Sequence, residues 1–317
     1  MTQLNSQGPA MSEERISQTL KNMANGFRDQ FRSPIMSNPG DQNLEYDNVT
    51  FPSEDGVPLE AWFIPKVGSD KLIIANHPRW FNRYGLPSHL EPWKSLGAMA
   101  GNDFEVDFIP DYKILHDAGY NVLTYDLRNH GHSGSGNGSL ISSGRFESRD
   151  VIGSLNYALM RKDLSGMTIG LFSRCLGCNS TIFAISREPS RFRDVRCLVG
   201  VQPLSVRAIM ERMLHLIGIP ADRIDELDRN IRLVTSFKLD DLSPIEAAKA
   251  IRIPSFIYQV RDDLMTYPGD VQTIFDNIPA VEKELLWIDG TTRRWDGYTY
   301  FSRHPERMLA WFAKYMK

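Results

Sequence analysis

Short apolar runs recur along the chain at intervals that leave room for one helix between neighbours. KLIIANH, NVLTYD, MTIGLFS, CLVGVQ, PSFIYQV and ELLWID are rich in Val, Ile, Leu and aromatics. Runs of this kind, without polar alternation, read as strands buried on both faces. The intervening DYKILHDAG, ESRDVIGSLNYALMRK and CNSTIFAISRE, and the terminal PERMLAWFAKYM, have helix length. Strands separated by helices pair in parallel through right-handed crossovers, with helices on both sides. The expected class is α/β, a mostly parallel central sheet flanked by helices. Ahead of it, NVTFPSEDGVPLEAWFIP carries two strand-like runs around Asp55-Gly56, a hairpin signal.

Two stretches fall outside this rhythm. Residues 1–44 are polar, with a helix expected from Glu13 to Arg32 that stops before Ser33-Pro34. They form an N-terminal helical arm ahead of a single domain, 45–317. Between Ser205 and about Arg252 the pattern SVRAIMERMLHLIG, DRIDELDRNIRLV, SPIEAAKAI is helical and longer than a crossover requires. It is expected to be a small helical cap inserted at about 205–252, near the strand ends where open α/β sheets bind ligands. Two extra helices packed on the flank are the alternative.

Composition narrows the partners. The net charge is −3 and no long run of one sign occurs, which disfavours nucleic acid or an anionic membrane and favours a small-molecule substrate. No segment approaches the roughly 18 uninterrupted apolar residues of a membrane span, and the first twenty residues lack a basic stretch followed by an apolar run. A cytoplasmic location is expected, and a homo-oligomer is compatible with it. Three cysteines cannot all pair. Cys175 and Cys178 have no second pair or nearby histidines to complete a zinc shell, so neither a metal nor an organic cofactor is expected.

The chemistry centres on GLFSRCLGCNST, where a strand gives way to a helix beginning near Leu176. A residue at such a turn meets the unpaired N–H groups and dipole of a helix N-terminus, which favour an anion. With Arg174 beside it, Cys175 is placed to react as a thiolate.

Ser173-Arg174-Cys175-Leu176-Gly177 resembles the nucleophile elbow of the α/β-hydrolase superfamily, small-x-nucleophile-x-small, with Ser173 where glycine is usual. The apex cysteine is similar to that of the dienelactone hydrolases. YDLRNHGHSGSG, with Asp126, Arg128, His130, Gly131 and Ser133, resembles the superfamily's loop after the preceding strand. IIANHP is similar to the strand that ends in His-Gly before the oxyanion loop. His77 matches there as a loop-bracing residue, but Pro78 replaces the glycine. Proline has no N–H, so the partner of the Leu176 amide in an oxyanion hole would be Arg79 or Trp80.

By the same resemblance IPSFIYQVRDDLMTYP supplies the acid of a triad, Asp263 in preference to Asp262. The histidine is missing. WIDGTTRRWDGYTYF carries Arg293 or Arg294 in its place, and a guanidinium cannot act as a general base. His304 is the one histidine further on and the candidate base, against a helix-capping or surface role.

Two mechanisms follow. In one, Cys175 attacks an ester, thioester or lactone carbonyl with His304 or a water relaying protons. In the other, the thiolate needs no base and Arg293 or Arg294 binds a substrate carboxylate. Arg174, Trp80 and Trp295 are further candidates for substrate contact. The reading is a hydrolase or acyl-transferring enzyme; the alternatives are a decayed hydrolase fold that binds without turnover, and a non-hydrolytic cyclase or lyase using the same pocket.

Overall fold

A computed structural model describes residues 11–28 and 31–317. Eight strands form the main sheet: β1 Asp47–Pro52, β2 Pro58–Ile64, β3 Lys71–Ala75, β4 Asn121–Tyr125, β5 Thr168–Arg174, β6 Val195–Val201, β7 Ser255–Val260 and β8 Lys283–Ile288. Their spatial order is β1-β2-β4-β3-β5-β6-β7-β8. β2 runs antiparallel to both β1 and β4, and every other neighbouring pair is parallel. The α/β class and the mostly parallel sheet expected from the apolar runs are present. The hairpin forms where Asp55-Gly56 placed it, with Gly56 at φ 85°. A separate two-strand ribbon joins Gly85–Leu86 to Val106–Asp107.

The main helices among the described residues are α1 Glu13–Asn25, α2 Ile109–Asp117, α3 Ser148–Met160, α4 Leu176–Arg187, α5 Val206–Leu216, α6 Ile224–Thr235, α7 Pro268–Asn277, α8 Arg294–Tyr298 and α9 Glu306–Tyr315. The sheet divides the core into two apolar layers. In β3, Ile73 and Ala75 face the layer that holds Leu115 of α2 and Phe312 of α9. Leu72 and Ile74 face the other, with Ile152 of α3, Ile182 of α4 and Ile274 of α7. Alternation with period two survives inside a strand that is apolar throughout, because each face has its own helices to meet.

A third apolar cluster lies outside the sheet. Ile16, Leu20 and Phe27 of the N-terminal segment pack with Met210 and Leu214 of α5 and Leu227 and Ile231 of α6. Arg223 pairs with Glu13 at 2.7 Å, joining the same elements at their rim. The expected helix to Arg32 is shorter, closing at Asn25 with Gly26 as its C-cap, and residues 29 and 30 lie outside the described part. SPIEAAKAI forms only a 3-10 turn, Ala247–Ala250, rather than a third helix. Among the described residues no helix is long and apolar enough to cross a membrane.

Helix α3 crosses the hairpin at a glycine. A Cβ on Gly153 would fall 2.6 Å from the Pro52 carbonyl oxygen and from Ser53 Cα, both backbone atoms that cannot swing aside. Alanine gains about 0.5–1 kcal/mol of helix propensity over glycine, while overpacking costs about 1–3 kcal/mol. The clash should win. Gly153→Ala is expected to lower the unfolding free energy in a urea titration; an unchanged or raised midpoint would contradict this packing.

Candidate active site

Cys175 joins β5 to α4 with φ 48° and ψ −107°, a conformation that side chains rarely adopt. Strain of this kind amounts to about 1–3 kcal/mol and persists only where neighbours enforce it. Here the Cys175 N–H donates to Val201 O at 2.7 Å and the Gly177 N–H to His77 O at 3.1 Å. Gly177 is required because a Cβ there would sit 2.0 Å from Asn76 Oδ1. Ser173, in the position usually held by glycine, is accommodated by a 2.9 Å hydrogen bond between its hydroxyl and that of Thr181. At α4's first residue, the Leu176 N–H has no acceptor among the described residues.

Cys175 is 9% exposed and lines a cavity of about 280 Å³. Its walls are mostly apolar. Met210 and Met213 of α5, Met23 and Phe27 of the N-terminal segment, and Trp80 and Trp295 contribute to them. Leu214, grouped with the two methionines in the sequence, turns instead into the helical cluster.

Two buried guanidinium groups line the cavity with Cys175 and interact with it electrostatically. Arg79, the residue after Pro78, interacts electrostatically with Cys175. It donates to Gly26 O at 2.6 Å and stacks on Phe27 and Trp80. Burial pulls its pKa down to about 10, which leaves it charged at neutral pH. Arg294 is the second. Its Nη1 donates to Asp263 Oδ2 at 2.5 Å, its Nη2 to the Gln202 carbonyl at 2.5 Å, and its Nε to the Tyr298 hydroxyl at 2.8 Å. Burial opposes its charge, but Tyr298, Asp263 and Cys175 together outweigh burial and hold the proton firmly. Tyr298 lines the same cavity as Cys175, and burial, reinforced by the electrostatic effect of Cys175, raises the phenol well above its usual pKa.

Asp263 is buried at 3% exposure and accepts from the Met265 N–H and the Thr266 hydroxyl as well as from Arg294. Asp262 is exposed. The carboxylate expected from the loop is therefore brought to the site, and its partner is Arg294. Trp295 lines the cavity with its indole N–H bound to Ser88 at 2.7 Å.

Three expected residues are elsewhere. His304 is exposed at the end of the short helix Tyr300–Arg303, its ring 4.9 Å from Tyr300, and faces an outer groove with Asp262 and Arg303. It does not line the Cys175 cavity. Arg293 lies in the same groove, paired with Asp296 at 2.9 Å and half exposed. One position along the chain separates it from Arg294, and the N-terminal turn of α8 sends the two side chains to opposite sides. Arg174 points under the sheet: fully buried, it pairs with Asp111 at 2.8 Å and stacks on Phe172 and Phe108 at 3.9 and 4.2 Å. In a strand, adjacent residues face opposite ways, so the neighbour of the apex turns away from the cavity.

The other buried histidines brace loops. His77 Nε2 accepts from the Leu127 N–H at 2.9 Å and its Nδ1 lies 2.8 Å from Pro78 O, while His130 Nδ1 lies 2.8 Å from Arg128 O. Burial lowers both, so each stays neutral. Cys178 and Cys197 are buried with their thiols pushed up by desolvation, Cys197 to about 12. Among the described residues no group of three His, Cys, Asp or Glu could hold a metal. Tyr298 and Gln202 were not legible in the sequence. Tyr298 lies four residues beyond Arg294, a helical spacing, but three aromatic residues crowd that stretch and nothing singles it out.

No family model matches the chain. A curated Escherichia coli protein, an uncharacterized 31.7 kDa protein in the traX-finO intergenic region, is 21% identical over 243 residues, 63% of this chain and 82% of that one. The Pyrococcus furiosus esterase Pf2001 superposes with a TM-score of 0.68 at 20% identity, covering 92% of this chain and 99% of that one. The alpha/beta hydrolase GrgF from Penicillium sp. gives 0.57 at 16% identity over 86% and 99%. A Pyrococcus horikoshii acylaminoacyl peptidase gives 0.57 at 14% over 86% of this chain and 42% of its own. With the strand order above, these likenesses establish that the chain has the α/β-hydrolase fold.

Breaking a buried ion pair by removing one partner costs about 3–5 kcal/mol. Arg174→Met should therefore reduce stability by that amount in denaturant titration, since Asp111 would be left unpaired. His304→Ala should leave the rate of Cys175 alkylation by iodoacetamide unchanged; a marked fall would return His304 to the site.

Proposed function

Within this fold, we propose that the chain is a hydrolase or acyl-transferring enzyme that attacks an ester, thioester or lactone carbonyl through the Cys175 sulfur. One observation carries the reading: an apex sulfur on a strained elbow opens into an apolar cavity and interacts with two buried guanidinium groups. A serine hydroxyl in this setting would lack a base to remove its proton, because among the described residues no histidine or carboxylate lines the cavity. A cysteine sulfur is intrinsically more nucleophilic and depends less on a base. The Leu176 N–H and the Arg79 N–H serve as the oxyanion donors.

The cavity, about 280 Å³ and mostly apolar, supports a reading of the substrate class. It suits a small apolar acyl group, with methionines on one wall that adapt to its shape. Residues 45–317 are the catalytic domain, the helices within 205–252 act as its cap, and the 1–44 arm completes the cavity through Met23 and Phe27.

A second reading is binding without turnover, favoured by Arg294 occupying the place of a general base beside Asp263. Intact-protein mass spectrometry after mixing with p-nitrophenyl hexanoate separates the two. Expected are release of nitrophenol and one acyl adduct on Cys175, and loss of both in Cys175→Ser. An apolar ester that binds but leaves Cys175 unmodified would establish the second reading and overturn the first.

A further inference from the structure

Acyl transfer through Cys175, the reading on which this inference rests, has a difficulty that the thiolate alone does not solve. After attack, the tetrahedral intermediate holds a sulfur and the oxygen of the leaving alcohol on one carbon. A thiol of ordinary pKa near 8.5 is a far better leaving group than an alkoxide, so the intermediate falls back to substrate unless that oxygen receives a proton. Something in the cavity has to supply it. Arg79 and Arg294 keep their protons, and among the described residues neither histidines nor carboxylates line the walls.

We propose that Tyr298 is the catalytic proton donor and acceptor of this site. Its hydroxyl oxygen accepts the Arg294 Nε–H at 2.8 Å, which orients the phenol and leaves its own proton to be given within the cavity that Tyr298 and Cys175 both line. The ring is held on two sides, edge-on to Phe81 at 5.3 Å and tilted against Trp295 at 5.7 Å. Its raised pKa keeps the phenol protonated at rest.

The steps balance. The Cys175 thiolate forms a bond to the carbonyl carbon. As the carbon–oxygen bond breaks, Tyr298 O–H passes its proton to the departing oxygen, giving the alcohol, an acyl-cysteine and a phenolate that faces the Arg294 Nε–H. The phenolate then takes a proton from a water, or from an acceptor alcohol, as that molecule attacks the thioester. Collapse expels the Cys175 thiolate and releases the acid or the new ester, with Tyr298 again protonated. Arg294 thus acts through Tyr298: it anchors to Asp263 and orients the hydroxyl that moves protons.

The test compares ethyl hexanoate with p-nitrophenyl hexanoate in single-turnover acylation of Cys175, quenched and read by intact mass. Nitrophenolate leaves without help; ethoxide does not. Tyr298→Phe removes the hydroxyl and keeps the ring. It should slow acylation by the ethyl ester by about 10²–10⁴-fold, the usual contribution of a general acid, and acylation by the nitrophenyl ester by less than about tenfold. Equal slowing with both esters would indicate a merely structural tyrosine and overturn the proposal. An unmodified protein that is acylated by the nitrophenyl ester and inert to the ethyl ester would overturn it without any variant. No adduct from either ester would sink the acyl-transfer reading itself, and this inference with it.

Discussion

A single buried guanidinium ties together the edge of the sheet where the site lies. Arg294 binds the carboxylate of Asp263 beyond β7, the carbonyl of Gln202 beyond β6 and the hydroxyl of Tyr298 one turn along its own helix. Each partner is buried, so each would be left with an unsatisfied polar group if the arginine were lost. Placing such a charge in a low-dielectric interior is costly, and its several hydrogen bonds repay that cost only together. The same contacts restrict the chemistry. A group locked in its charged form cannot take a proton, so proton traffic at Cys175 has to pass through something else.

The elbow explains why a cysteine in this position remains usable. Its positive φ is enforced from both ends, by the Cys175 N–H on Val201 and the Gly177 N–H on His77, and by the close approach of Gly177 to Asn76. Cys175 thereby borders the cavity at the edge of the apolar layer it shares with Cys197, while Cys178 is enclosed in the opposite layer. Its surroundings are assembled from distant parts of the chain. The N-terminal segment, the loop after β3, α5 and α8 each contribute one wall. The arm and the α5–α6 helices share an apolar cluster of their own, so the cavity roof has a core independent of the sheet.

Much of the architecture could be read from local pattern. Strands such as β3 and β5 announce themselves by apolar runs of fixed length, and the hairpin by Asp55-Gly56, because these signals arise from neighbours in sequence. The elbow was equally legible, since a tight strand-to-helix turn demands small residues at Ser173 and Gly177. Asp263 could be located from its place after a strand. Arg293 and Arg294 could not be told apart, and His304 was drawn toward the site by its position in the chain alone. Whether a side chain enters a cavity depends on the rotation of a helix and the course of a loop. These are settled by contacts such as Gly297 against Gln202, which no local pattern records.

The amino-acid order alone established an α/β sheet with a cysteine at its sharpest turn, because strand length, helix spacing and turn chemistry act over a few residues. It also established that the familiar histidine is missing from the expected place. That Arg294 fills the gap, that Arg174 turns into the core and that Tyr298 shares a cavity with the sulfur came only with packing. Those outcomes depend on charges and rings separated by about a hundred residues finding one another where water is excluded, and the gain from each such contact exists only once the others are in place.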